Sequence, residues 1–251
     1  MEIFDSHAHY DDEAFDVDRD ELLASMPEKG VISIINTGIS VKSSLNSIQL
    51  ANRYPFVYAA AGIHPEEAER CDPRDVDKIG ELASNVKIVA IGEIGLDYHY
   101  EVDKETQLQL FLSQLSLAYD LNLPVIIHER DAHADMLDIL KKYKPRGVLH
   151  CFSGSTEMAV EVLKLGLYIG LTGVVTFKNN KKAASIIAAV PDERVLCETD
   201  CPYMAPEPLR GKRCDSTMLE HTLRSIAAYK SITPENAASL TASNARTLFN
   251  L

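Results

Sequence analysis

The chain is predicted to fold as a (β/α)8 TIM barrel, an α/β architecture in a single domain, and three features of the sequence carry that expectation. Its 251 residues suit one large α/β unit. Short Val/Ile-rich runs alternate with amphipathic stretches along the whole length, which is the signature of repeated βα units around a parallel sheet. Histidines and acids follow one apolar run after another, and the carboxyl ends of strands are where a barrel collects its functional groups.

Taken in order, strands are predicted over residues 1–5, 31–36, 56–61, 87–92, 124–127, 147–150, 167–170 and 194–197. These runs are continuously apolar rather than alternating, as parallel strands covered on both faces should be. Between the fourth and fifth, Leu108, Phe111, Leu112, Leu115 and Tyr119 recur at three- and four-residue steps, so a helix over 104–121 is expected to lay that stripe on the sheet. Asp135 and Ser155 open further helical stretches, and Gly147 and Gly166 lie between a helix and the next strand. Past Asp200 a Pro/Gly-rich loop at 202–211 leads into helices that run to the end. No linker, repeat or low-complexity tract divides the chain, so one domain over 1–251 is expected. An open doubly wound sheet is the alternative; it would gather ligands at one switch point, whereas here polar groups follow at least five strands.

A 46% hydrophobic and 25% charged composition is ordinary for a protein with a sizeable core. The net charge of -12 argues against nucleic acid held through a broad basic face, so an anionic substrate would need local cations. The five cysteines are odd in number and form no framework, and Cys197 and Cys201 are not spaced as a CxxC pair; reduced thiols are expected. The opening Met-Glu-Ile-Phe-Asp carries no leader pattern, and no run approaches the ~18 apolar residues of a membrane span. A soluble, cytoplasmic protein without membrane or obligate protein partner is the expectation.

The chemistry is carried by His7, His9, Glu93, His128, His150 and Asp200. His7-Ala8-His9 alternates in an extended segment, so both imidazoles fall on one side and can grip a common ion. Four imidazoles and two carboxylates exceed the four ligands, often thiolates, of a closed structural zinc. Two divalent cations accommodate them: His7, His9 and Asp200 around one, His128 and His150 around the other, with Glu93 spanning a pair about 3.5–4 Å apart. One ion with the remaining residues as hydrogen-bonding support is the plainer arrangement. Zinc, manganese and magnesium all suit the donor types. Such a centre activates water for hydrolysis, with Glu93 and Asp200 as catalytic carboxylates and Asp200 placed to take the proton. Glu198 is expected to support a ligand histidine, and Asp97 to fix the loop after Glu93. His133 and His221 fall in helical stretches and His99 near a strand end, and none is assigned to metal.

Four further residues suit an anionic substrate: His64 past the third strand, Arg130 two residues after His128, Lys178 after the seventh strand, and Arg210 in the loop after the eighth. Lys181 and Lys182 read as solvated surface charges.

Five motifs, in order along the chain, closely resemble the TatD family of metal-dependent hydrolases. They are Asp5-Ser6-His7-Ala8-His9, the run from Gly92 to Tyr98, Pro124 to His128, His150-Cys151-Phe152-Ser153-Gly154, and Glu198 to Tyr203. The resemblance implies an amidohydrolase-type barrel, a divalent-metal centre, and deoxyribonuclease or exonuclease activity on DNA, often single-stranded, with His64 on the phosphate side. Two departures stand out. Glu66 occupies a position where the family often has histidine, and Cys214-Asp215-Ser216 replaces a common Asn-Glu-Pro; both are expected at the substrate rim. A phosphodiesterase acting at DNA ends is therefore the leading expectation. Hydrolysis of an ester, amide or lactone, including an aminoacyl ester on tRNA, is the alternative on the same centre, and a silent metal-binding scaffold is a third.

Overall fold

The computed structural model describes residues 1–251. Eight parallel strands form one sheet in the order β1 to β8: Ile3–Ala8, Val31–Thr37, Val57–Ala61, Ile88–Asp97, Val125–Arg130, Gly147–Leu149, Tyr168–Leu171 and Val195–Cys197. Nine helices, α1 to α9, cover Arg19–Ser25, Val41–Arg53, Asp75–Leu82, Lys104–Asp120, His133–Tyr143, Thr156–Lys164, Ala183–Ala189, Leu219–Lys230 and Pro234–Phe249. The sheet curls into a nearly closed (β/α)8 barrel, as the sequence predicts. Its β1/β8 seam is sealed at the carboxyl end, where Ala8 and Cys201 form a parallel bridge. Asp200 N there donates to His7 O (3.0 Å), and His9 N donates to Cys201 O (2.9 Å).

Phe4, Ile35, Ala60, Ile126, Val148, Tyr168 and Leu196, from seven of the strands, pack together with Ala242, Ala245, Leu248 and Phe249 of α9. The last helix therefore closes the floor of the barrel. Asn244 Nδ2 anchors it by donating to Val195 O (2.9 Å) at the start of β8, and Arg146 Nη1 by donating to Leu248 O (2.7 Å).

The strand order matches the sequence reading, but three strands run further: β1 continues past Asp5 to Ala8 and so carries His7 within it. β4 continues five residues past Gly92, carrying Glu93 within it, and β5 extends to Arg130, carrying His128. The extension requires Gly95. Its φ is +151°, and a Cβ there would stand 2.0 Å from the His128 carbonyl oxygen across the β4/β5 ladder.

Helix α4 corrects a second expectation. Tyr119 does not join the buried stripe; it is 85% exposed. Leu108, Phe111, Leu112 and Leu115 pack on the core as expected, and Gln107, Gln114 and Ala118 are buried with them, so two amides join the face turned to the barrel for a reason that lies in the site. Helix α5 begins at His133, two residues before Asp135.

Candidate metal centre

All six residues expected to bind metal converge at the carboxyl-terminal mouth. Glu93 stands at the middle, buried, with its two oxygens facing different partners. Oε2 lies 3.4 Å from His7 Nε2 and 3.5 Å from His9 Nε2. Oε1 lies 2.9 Å from both His128 Nδ1 and His150 Nε2, and 3.6 Å from His64 Nε2. Asp200 Oδ1 completes the first group at 3.6 Å from His7 Nε2 and 3.3 Å from His9 Nε2. His150 touches both groups, since its ring also stacks on His7 at 4.0 Å.

The ring orientations fit these residues to divalent cations. His9 Nδ1 donates to the Thr37 carbonyl at 2.8 Å, and His128 Nε2 donates to Asp97 Oδ2 at 2.9 Å. In a neutral ring the opposite nitrogen then carries only a lone pair. Those lone pairs face carboxylate oxygens and the neighbouring rings, with His9 Nε2 2.9 Å from His7 Nε2 and His128 Nδ1 3.2 Å from His150 Nε2. The His128 Nδ1 lone pair also lies 2.9 Å from Glu93 Oε1, and two acceptors at that distance repel unless a cation or proton stands between them. Three overlapping sets, His7/His150/Asp200, His7/His9/Glu93 and His64/Glu93/His128, have the donor number and spacing to hold an ion. Burial pushes His64 down to about 3, so that ring is neutral at physiological pH; its Nδ1 accepts from Glu66 N (3.2 Å), which leaves the proton on Nε2, the nitrogen facing Glu93. Burial alone would raise Glu93; the imidazoles of His150, His64 and His7 outweigh it and hold the carboxylate well below its ordinary range.

His64 thus sits deeper than a residue that only meets substrate, with its ring 4.4 Å from that of His128. Asp97 does more than fix a loop: it accepts from His99 N (2.9 Å) through Oδ1 while Oδ2 orients His128. Glu198 lies behind His150, 3.6 Å from Nδ1 and so beyond the expected hydrogen bond, and its Oε1 accepts from Cys151 N (2.6 Å). His133 is paired with Glu129 (2.8 Å), and His99 lies 3.6 Å from Asp131. All five cysteines are free thiols.

Sequence reasoning passed over three supporting residues. Asp5 accepts from Thr199 Oγ1 (2.7 Å), Thr199 N (3.0 Å) and Ser216 Oγ (2.6 Å), tying the strand of His7 to the segment of Asp200. Gln107 accepts from Asp97 N and donates to Asp97 O, both at 2.8 Å. Gln114, two turns along α4, does the same for Ile63 N (2.8 Å) and O (2.9 Å), next to His64. The amides act as short strand partners for chain that leaves the sheet. Gln114→Leu strands a buried donor and acceptor, each costing about 1–3 kcal/mol, so urea unfolding should show a loss of about 2–6 kcal/mol.

A cleft of about 550 Å³ opens over Glu93 and is lined by His9, His64, His128, Asp200, Arg130 and Lys42, among others. Asp11, Asp12, Glu66 and Glu67 also line it, so Glu66 reaches the rim as expected. Cys214 and Ser216 do not: both are fully buried, and Ser216 belongs to the Asp5 network. This three-residue segment is structural, because its serine hydroxyl is used by the buried Asp5. Lys178 and Arg210 are exposed and lie outside the cleft lining.

A parallel eight-stranded barrel with a His/Glu/Asp cluster at its mouth defines a metal-dependent hydrolase of the amidohydrolase-like fold. The family model described as TatD related DNase matches residues 4–250. The chain is 40% identical over 253 residues to the uncharacterized metal-dependent hydrolase YabD of Bacillus subtilis, covering 99% of each. It is 34% identical over 258 residues to the 3'-5' ssDNA/RNA exonuclease TatD of Salmonella typhimurium, again covering 99% of each. The crystal structure of YJJV, a TatD homolog from Escherichia coli, superposes with a TM-score of 0.94 at 30% identity, covering 100% of this chain and 98% of that one. The chain belongs to the TatD family.

Proposed function

We propose that the protein is a nuclease that hydrolyses phosphodiester bonds at the ends of single-stranded DNA, releasing nucleotides from the 3′ end, with two divalent cations per subunit. The split of Glu93 between two donor groups carries this reading: Oε2 faces His7 and His9, and Oε1 faces His128 and His150. His7, His9 and Asp200 would hold one cation, His128 and His150 the other, with Glu93 common to both and His64 beside the second. When bound, zinc, manganese or magnesium ions in such a site polarise a phosphoryl oxygen and lower the pKa of a water molecule. Asp200, whose side chain is 15% exposed toward the cleft, takes the proton from the attacking water. Arg130 and His64 line the cleft where the phosphate oxygens would lie, and Arg130 offers a planar fork to them. The exonuclease name of the Salmonella relative supports the substrate class.

The test is release of nucleotides from 3′-labelled single-stranded DNA by purified protein with Mg2+ or Mn2+, stopped by EDTA and restored by returning the cation. Absence of release from metal-loaded protein across several cations would reject the reading. Four carboxylates at the cleft, Asp11, Asp12, Glu66 and Glu67, against Lys42 and Arg130, favour a second reading in which the substrate is a less anionic ester or amide. Faster turnover of model esters than of oligonucleotides in direct competition would select it.

A further inference from the structure

Five cations gather on two loops beside the mouth, outside the cleft: Lys178, Lys181 and Lys182 after β7, and Arg210 and Lys212 after β8. None has a carboxylate within 4.0 Å, whereas Arg213, next in sequence, is paired with Asp18 at 2.6 Å. Such a cluster is unexpected in a chain of net charge -12. The loops are locked together. Glu207 N donates to Thr176 Oγ1 at 2.8 Å, and Gly173 lies so close beneath Met204 that a Cβ would meet its carbonyl oxygen at 2.1 Å. On this base the Arg210 guanidinium lies over the Phe177 ring, 4.4 Å from its centroid. Earlier in the same β8 loop, Tyr203 and Met204 line the cleft and are 56% and 40% exposed.

Planar groups with unpaired cations beside them form the arrangement that holds unpaired nucleic acid, since bases stack on the flat faces while lysines and arginines follow the backbone phosphates. We infer that the β7 and β8 loops form a track for the single-stranded nucleic-acid tail that follows the terminal nucleotide out of the cleft. This rests on the nuclease reading for the direction of the strand, but binding to the track does not require cleavage. A double helix presents no free base faces to Phe177, Arg210 and Tyr203, so the track selects unpaired strands. An acidic peptide would meet the charges but not the stacking surface.

The probe is fluorescein-labelled dT10, its binding followed by anisotropy in EDTA, where no hydrolysis occurs, over a series of salt concentrations. Loss of one stacked base weakens binding by about 1–3 kcal/mol, so Phe177→Ala should raise Kd about 5- to 150-fold. Lys178→Ala combined with Lys182→Ala removes two phosphate contacts, and the slope of log Kd against log salt should fall by about 1.4. Arg210→Lys keeps the charge and loses the plane; it should weaken dT10 while leaving the salt slope in place. Lys178, Lys182 and Arg210 are exposed and Phe177 is half-buried, and circular dichroism checks that each variant is folded. Unchanged dT10 affinity in Phe177→Ala and the double lysine variant would overturn the track. Equal competition by heptaglutamate or by a blunt duplex would overturn it too, showing a general anion surface. Track-dependent binding of dT10 without hydrolysis of any oligonucleotide would remove the nuclease reading and leave the track standing.

Discussion

Replacing Glu93 with alanine is expected to abolish turnover while the barrel stays folded. Glu93 presents a separate oxygen to each donor group, Oε2 toward His7 and His9 and Oε1 toward His128 and His150. Loss of a group that merely supports a metal ligand costs about 10–100-fold in affinity. Loss of a ligand shared by two cations should cost more, on the order of 10³-fold or greater in turnover at micromolar metal. The fold should survive because the hydrophobic core lies below the mouth and the floor is closed by α9. Far-ultraviolet circular dichroism together with metal analysis separates the two effects: a native spectrum, fewer bound cations and no activity. A variant that keeps wild-type turnover would remove Glu93 from the centre.

Asp200→Asn carries the second largest expected effect, and of a different kind. Asparagine retains an oxygen toward His7 and His9, where Asp200 Oδ1 now lies at 3.6 and 3.3 Å, but it cannot accept a proton from water. General-base assistance contributes about 10²–10⁴-fold, so kcat should fall by that factor while KM and bound metal change little. Retained metal with depressed kcat distinguishes the base role from a ligand role. Loss of metal in step with activity would assign Asp200 to cation binding alone.

The barrel was readable because its signals are repeated and local. Eight apolar runs in alternation with helical stretches specify the order of the strands, and an apolar run buried on both faces does not depend on distant detail. The positions of His7, His9, Glu93, His128, His150 and Asp200 followed from the same logic, since strand ends in a barrel share one rim. Polar support was harder to see. Gln107 and Gln114 look like the solvent side of α4, and only the strand ends of Asp97 and Ile63, far away in sequence or beyond a loop, explain why they are buried. Their seven-residue spacing on one helical face was the available signal. Tyr119 was misplaced for the complementary reason: its spacing fits the apolar stripe, but the buried face continues through Gln114 and Ala118 and leaves the ring in solvent. The ends of β4 and β5 lie beyond the apolar runs that mark these strands in the sequence, and Gly95 is what lets β4 pass the His128 carbonyl.

Lys178 and Arg210 show how far charge alone can be read. Their chemistry suggested anion binding, and the structure places them on interlocked loops outside the cleft rather than over the reacting bond. No helix is long and apolar enough to cross a membrane.

Anomalous scattering from crystals grown with manganese tests the centre most directly. Two peaks about 3.5–4 Å apart are expected, one among His7, His9 and Asp200, the other among His128 and His150, with a Glu93 oxygen on each. A single peak at saturating manganese, or two peaks with Glu93 bound to only one, would contradict the two-cation centre.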